Sequence, residues 1–253
     1  MDNGDDKAMT HHETTLYSRI MSLADERQVA ALARFFKCRR GEYGEGDRFL
    51  GIKVPQTRAA VKALWQQTGF DELERCITSE YHEMRLAALL TLVEIFNHSK
   101  RDIETQQRCV DFYLTHTDCI NNWDLVDLSC YKLLGEWLTD KDRSLLCRLA
   151  DNGKTIWEQR IGIVSTMQFV RRGETADTYA IAQIMLDKPR PLHDLLQKAT
   201  GWLLREAGKR DTQQLKRWLA PRAAQMPRTM LRYAIEKLPE AERQFFMNLR
   251  VVL

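Results

Sequence analysis

A chain of 253 residues can bury a sizeable core as one large domain or two small ones. With 44% hydrophobic and 29% charged residues, it has the balance of a soluble globular protein and excludes a disordered or collagen-like chain. Its 12 Gly and 6 Pro are too few for an all-β fold with a turn every few residues. The net charge of +3 is uneven: residues 187–232 hold eleven Lys and Arg against four acids, a local +7, which leaves −4 on the rest. Such a stretch suits a polyanion, or is simply a solvated helix face.

Residues 1–13 are polar and lack the apolar segment of a signal peptide, so they are expected to be a flexible extension preceding a single domain over 14–253. No apolar run approaches the roughly 20 residues of a membrane helix, and a cytoplasmic location is expected. Along the chain the apolar residues keep helical period. Leu16, Ile20 and Leu23 open it, followed by Val29, Leu32, Phe35 and Phe36. The glycine-rich segment 41–51 lacks the Gly-Lys-Ser/Thr ending of a phosphate loop and carries Glu42, Glu45 and Asp47, so it reads as a connection using positive-φ glycines. Pro55 fits a first helical turn before Val61 and Leu64, and Ser79 is a candidate cap for the helix bearing Leu86, Leu89, Leu90 and Val93. Further helices are predicted near 102–115, 123–138, 142–150, 175–186, 192–208, 212–222, 228–237 and 240–248. Thr155 to Glu158 forms a capping box that opens another. Short amphipathic helices joined by short turns, loosely paired at 35–45 residues, predict an all-α solenoid of HEAT-type helix pairs, with a compact orthogonal bundle as the alternative.

Six cysteines are scattered without a C-x-x-C pair and read as reduced thiols, and no His/Cys spacing fits a metal site. The segment Asn122-Trp123-Asp124-Leu125-Val126-Asp127 is the most informative. Val126, Cys130, Leu133 and Trp137 form its buried stripe, which leaves Trp123 and Asp127 four apart on a neighbouring face. With Asn122 as cap, Asp124 falls in the first turn, where exposed amides and the helix dipole account for its charge. An aromatic wall beside the Asp127 carboxylate suits a site that stabilises positive charge; a solvated carboxylate or a partner for a basic residue on the next helix is the alternative. Arg160 has two readings, a phosphate fork or an ion pair with a neighbouring helix. Trp202 lies in the basic stretch beside Thr200 and Gly201, small residues that leave room for a ligand or a backbone. Trp65, Trp137, Trp157 and Trp218 are assigned to packing.

These segments, together with Trp157-Glu158-Gln159-Arg160, Lys198 to Glu206, Tyr43 to Asp47, Phe49 to Ile52 and Met226 to Ala234, resemble the AlkD family of DNA alkylation repair glycosylases over roughly residues 16–237. The resemblance implies a HEAT-like helical-repeat solenoid whose concave face holds double-stranded DNA. It implies that Asp127 is the catalytic carboxylate, that Trp123 and Trp202 flank the lesion nucleotide, and that Arg160, with Lys198 and Arg205 in the basic stretch, grips the DNA backbone. The implied activity is excision of cationic N-alkylated purines, such as 3-methyladenine and 7-methylguanine, in base excision repair, by a monomer with no metal and no cofactor. A non-catalytic DNA-structure binder and a protein-binding helical scaffold are the rival readings.

Overall fold

The computed structural model describes residues 14–189 and 191–249. The predicted extension 1–13, including its two histidines, and Arg190 of the basic stretch lie outside the described residues. Within them the chain is all-helical, its sole β-type pairing an isolated bridge between Arg48 and Tyr81. In chain order the helices are α1 (Leu16–Met21), α2 (Glu26–Phe35), α3 (Val54–Leu64), α4 (Phe70–Ile77), α5 (His82–His98), α6 (Ile103–Thr115), α7 (Trp123–Asp127), α8 (Ser144–Asn152), α9 (Ile156–Val164), α10 (Met167–Arg171), α11 (Ala176–Asp187), α12 (Asp194–Arg210), α13 (Thr212–Leu219), α14 (Arg228–Ile235) and α15 (Glu240–Asn248).

Helix starts follow from side chains that accept the first free amides: Thr15, Asp25, Asp102, Asn122, Thr155 and Asp211 all do so. Helices pack on elements next or near to them in the chain, α1 and α4 on α5, α8 on α9, α9 on α12 and α12 on α14, so one core runs the length of the stack. The central helix α5 is buried nearly all round, from Met84 through Val93 to Phe96, which explains its lack of a polar face. Two close approaches require glycine. Gly51 has φ +87° and stands where a Cβ would lie 2.0 Å from the Asp25 carbonyl, while a Cβ on Gly201 would lie 2.4 Å from the Met230 carbonyl of α14. The space beside Thr200 and Gly201 is thus filled by the neighbouring helix backbone and not by a ligand.

Two sequence expectations fail locally. Residues 123–138 do not form one helix: α7 ends at Asp127, and after a turn the chain continues as a wide π-type turn, Tyr131–Gly135. Ser129 at the break turns its hydroxyl back onto the Leu125 carbonyl at 2.5 Å, a bond that competes with the helix and bends it. The N-cap of α5 is Tyr81, not Ser79; the Ser79 hydroxyl accepts from the Tyr81 amide one step earlier. The glycine-rich segment is a connection as expected, and its acids bind within the protein: Glu42 accepts the Arg39 amide and Glu45 the Gly41 amide. All six cysteines are free, and no helix among the described residues is long and apolar enough to cross a membrane.

Candidate nucleic-acid cleft

The six residues singled out from the sequence meet in one cleft. Trp123 and Asp127 of α7, Arg160 of α9, and Lys198, Trp202 and Arg205 of α12 line an open depression of about 650 Å³. Phe35, Tyr43, Leu195 and Tyr233 complete its walls. Helix α7 is only five residues long, so its position depends on neighbours more than on its own turns. Asn122 caps it by accepting the Trp123 amide at 2.9 Å, and Val126 and Leu125 anchor it in the core.

Asp127 ends α7 with its carboxylate against Arg160. The guanidinium donates from Nε to Oδ1 at 2.8 Å and from Nη2 to Oδ2 at 2.7 Å, and its Nη1 donates to the Leu195 carbonyl at 2.6 Å. One side chain therefore ties α7, α9 and the first turn of α12 together. The Arg160 side chain is 7% exposed and that of Asp127 17%, so the carboxylate faces the cleft and the guanidinium stands behind it. Three of the five guanidinium N–H groups are spent on protein acceptors, which leaves two not used in these bonds. The structure thus holds the ion-pair reading of both residues. Burial pushes the Asp127 carboxyl above its ordinary range, the Arg160 charge and hydrogen bonds oppose this, and Asp124 adds a smaller upward push.

The aromatic wall is deeper than the sequence indicates. Trp123 stacks on Phe36 with centroids 5.5 Å apart and meets the edge of Phe35, itself 61% exposed. Burial pushes the Tyr43 hydroxyl to higher pKa, and the neighbouring Trp123 indole opposes this more weakly. Across the cleft, Lys198 pairs with Asp194 at 2.6 Å, and Arg205 with Glu236 and, more loosely, Glu206 at 3.5 Å.

Behind α7 lies a network of charges buried between helices. The His82 imidazole bridges two carboxylates, with Nδ1 2.9 Å from Asp47 and Nε2 2.9 Å from Asp124. Arg85 bonds Asp47 and also donates to the Ser79 carbonyl at 2.7 Å and to the Asn121 side chain at 3.1 Å. Glu83 accepts the amides of Leu50, Gly51 and Ile52 at 2.9 to 3.0 Å, fixing the glycine-rich connection to α5. Asp124 is therefore held by histidine, not by first-turn amides as its position suggested. No sequence signal marked this network, because its members lie 35 and 42 residues apart.

Part of the basic stretch is paired with carboxylates within the fold. Besides Lys198 and Arg205, Lys209 pairs with Glu206, Lys216 with Glu242 and Arg217 with Asp211. A further cluster of like charges lies outside this stretch. Lys132 is half-buried, and burial followed by the charges of Arg58 and Arg171 pushes its pKa down; Glu94 opposes more weakly. Arg171 lies over the Tyr131 ring at 4.6 Å and also lines the far side of Trp202 with Lys209 and Arg210.

Comparison with known proteins follows the same lines. A predicted DNA alkylation repair enzyme from Enterococcus faecalis has a similar fold, with a TM-score of 0.63 at 15% identity, covering 86% of this chain and 97% of that one. No curated protein matches the sequence at a significant level. Residues 17–238 match the family described as DNA alkylation repair enzyme, and the chain belongs to that family.

Proposed function

We propose that the protein is a DNA glycosylase that releases cationic N-alkylated purines, 3-methyladenine and 7-methylguanine among them, from double-stranded DNA and so begins base excision repair. We assign Asp127, Trp123 and Trp202 to the chemistry and Arg160, Lys198 and Arg205 to the backbone. The observation that carries the reading is a largely buried carboxylate that lines an open cleft together with two tryptophans, Trp123 and Trp202.

An alkylated purine is already positively charged, so it departs as a neutral base without a strong general acid. The electrons of the glycosidic bond go to the base, and positive charge moves onto the deoxyribose. Asp127 faces that charge from a site where surrounding protein weakens solvent screening, and the indole faces of Trp123 and Trp202 add their own attraction. Water adds to the sugar carbon, its proton passes to Asp127 or to solvent, and an abasic site remains. Arg160 holds the carboxylate in one orientation and keeps two N–H groups for the adjoining phosphate. The reaction needs no cofactor, and a single chain supplies every assigned group, which suits a monomer working on DNA in the cytoplasm.

The bidentate Asp127–Arg160 pair is what favours the second reading, a DNA-structure binder in which Asp127 only braces α9. Incubating the purified protein with N-methylated duplex and quantifying the free base separates them. Release of methylpurine supports the glycosylase, whereas tight binding without release assigns the chain to the binder.

A further inference from the structure

We infer that His82 is a positioning residue for the excision site, a buried bolt that holds α7, and with it Trp123 and Asp127, against α5 and the glycine-rich connection. The inference rests on the excision reading for its effect on rate, but not for its effect on α7.

Geometry gives two routes from His82 to the site. The first is polar. Nε2 meets Asp124, the residue after Trp123, and the other oxygen of Asp124 has no hydrogen-bond partner among the described residues. Removing the imidazole would therefore leave a buried carboxylate alone in the first turn of α7, a far costlier state than the pair. The second route is aromatic. The His82 ring packs on Phe36 at 4.7 Å and on Phe49 at 4.8 Å, and Phe36 in turn stacks on Trp123. A shift of His82 thus reaches the Trp123 face as well as the backbone that ends in Asp127. A five-residue helix has no rigidity of its own to absorb such a shift.

The bolt must be protonated to donate to both carboxylates at once. Burial pushes the His82 pKa down, but the charge and hydrogen bond of Asp124 and those of Asp47 outweigh it and lift the group to about 9. The groups around it are Asp47 of the connection, Asp124 of α7, and Glu83 and Arg85 of α5; Asp47, pushed up by burial, is held below the usual carboxylate range by His82 and Arg85. Because His82 binds its proton more tightly folded than unfolded, its contribution to stability is complete below the ordinary histidine range. It shrinks above that range and is lost as pH rises through about 9.

The test uses the full chain, with His82→Gln and Asp124→Asn. Single-turnover release of methylpurine at saturating enzyme should fall about 10- to 100-fold in His82→Gln, the scale expected when a reacting group is displaced by about an ångström. Affinity for undamaged duplex should stay within about threefold, since no phosphate contact is removed. Wild-type release should fall on an alkaline limb near 9, and Asp124→Asn should move that limb to lower pH by removing one of the two anions that hold the proton. Independently of any activity, amide protection factors over residues 123–127 should drop in His82→Gln while those of α12 and α14 persist. If His82→Gln does not fold, Asp124→Asn decides alone through its limb and its protection factors. Wild-type rates, an unmoved alkaline limb and unchanged protection at 123–127 in a folded variant would overturn the inference. A wild-type protein that releases no base but loses protection over 123–127 in His82→Gln would instead keep the bolt and reject the excision reading.

Discussion

The two walls of the cleft treat charge in opposite ways. On the α5–α7 side, Asp47, His82, Arg85 and Asp124 are sealed between helices, each bonded to another. On the α12–α14 side, charged groups sit at the surface in exposed pairs, such as Lys198 with Asp194, 40% and 54% exposed. Buried pairs keep their geometry because breaking one strands a charge in a poorly screened place, whereas exposed pairs are worth little and exchange partners readily. One wall is therefore built to hold Trp123 and Asp127 still, and the other holds its cations in pairs that a polyanion could displace, as the proposed function requires. Asp127–Arg160 joins the walls and belongs to neither type, with its acid facing the cleft and its base buried.

The sharpest way to break this division is Asp127→Asn. An amide keeps the shape and one of the two bonds to Arg160 but neither the second bond nor the charge, so excision should fall roughly a hundred- to thousandfold, about 2.7–4 kcal/mol. Duplex affinity should be retained, and the fold should persist with a stability loss of about 3 kcal/mol or less, since the Arg160 cation keeps the amide oxygen and the Leu195 carbonyl. Wild-type activity should also show an acid limb above the ordinary aspartate range, because burial raises the Asp127 pKa and activity is lost as the carboxylate takes up a proton. Unchanged single-turnover excision by folded Asp127→Asn would remove the carboxylate from the chemistry.

Arg160→Gln tests the joint itself. It leaves Asp127 without its cation and the Leu195 carbonyl without its donor, so unfolding should come about 3 kcal/mol earlier, and more so at neutral than at acid pH, where the stranded carboxylate is protonated. The acid limb should move further upward. A wild-type denaturation midpoint with a reduced dependence of binding on salt would show Arg160 to be a phosphate contact first and a brace second.

What the sequence disclosed, and what it hid, follows the same division. Helical period and caps located most elements, since amphipathic faces and free amides are local matters; Asn122 and Thr155 cap as expected. Six cleft residues were legible because they sit in motifs. Tyr43 and Tyr233 lay within resembling segments without distinction, and Phe35 passed for core although its ring lies exposed against Trp123. The His82 network was illegible because pairing across 35 and 42 residues depends on packing, not on spacing. The local +7 is tempered by pairing from outside the stretch. A count along the chain cannot see that Glu236 and Glu242, just beyond it, pair with Arg205 and Lys216.

A milder effect should distinguish aromatic contact from charge. Trp202 lies between the cleft and the pocket lined by Arg171, Lys209 and Arg210. Trp202→Ala should weaken binding to an alkylated or abasic duplex, or slow excision, by about 1–3 kcal/mol, the scale of an aromatic face against a nucleotide. The slope of log affinity against log salt should not move. A changed slope would mean that the ring acts by placing the neighbouring cations.

The smallest effects should come from Lys132 and Arg171, and they bear directly on which charges meet DNA. Each cation that binds a phosphate releases counterions from the duplex, so neutralising one true contact lowers the magnitude of the salt slope by about one. Lys132 is repelled by Arg58 and Arg171, and that repulsion is relieved when a polyanion settles over them. Lys216 is already matched to Glu242. Lys132→Gln and Arg171→Gln should therefore each flatten the slope by about one, while Lys216→Gln leaves it unchanged. The first two should leave single-turnover excision at saturating protein intact, because neither lines the cleft that holds Asp127. Lys132→Gln should also be no less stable than wild type, since it removes a cation that burial and two like charges disfavour. The reverse pattern, with Lys216 setting the slope and Lys132 silent, would place the DNA along the basic stretch as the linear charge count suggests, and not along the line from Trp202 through Arg171 to Tyr131.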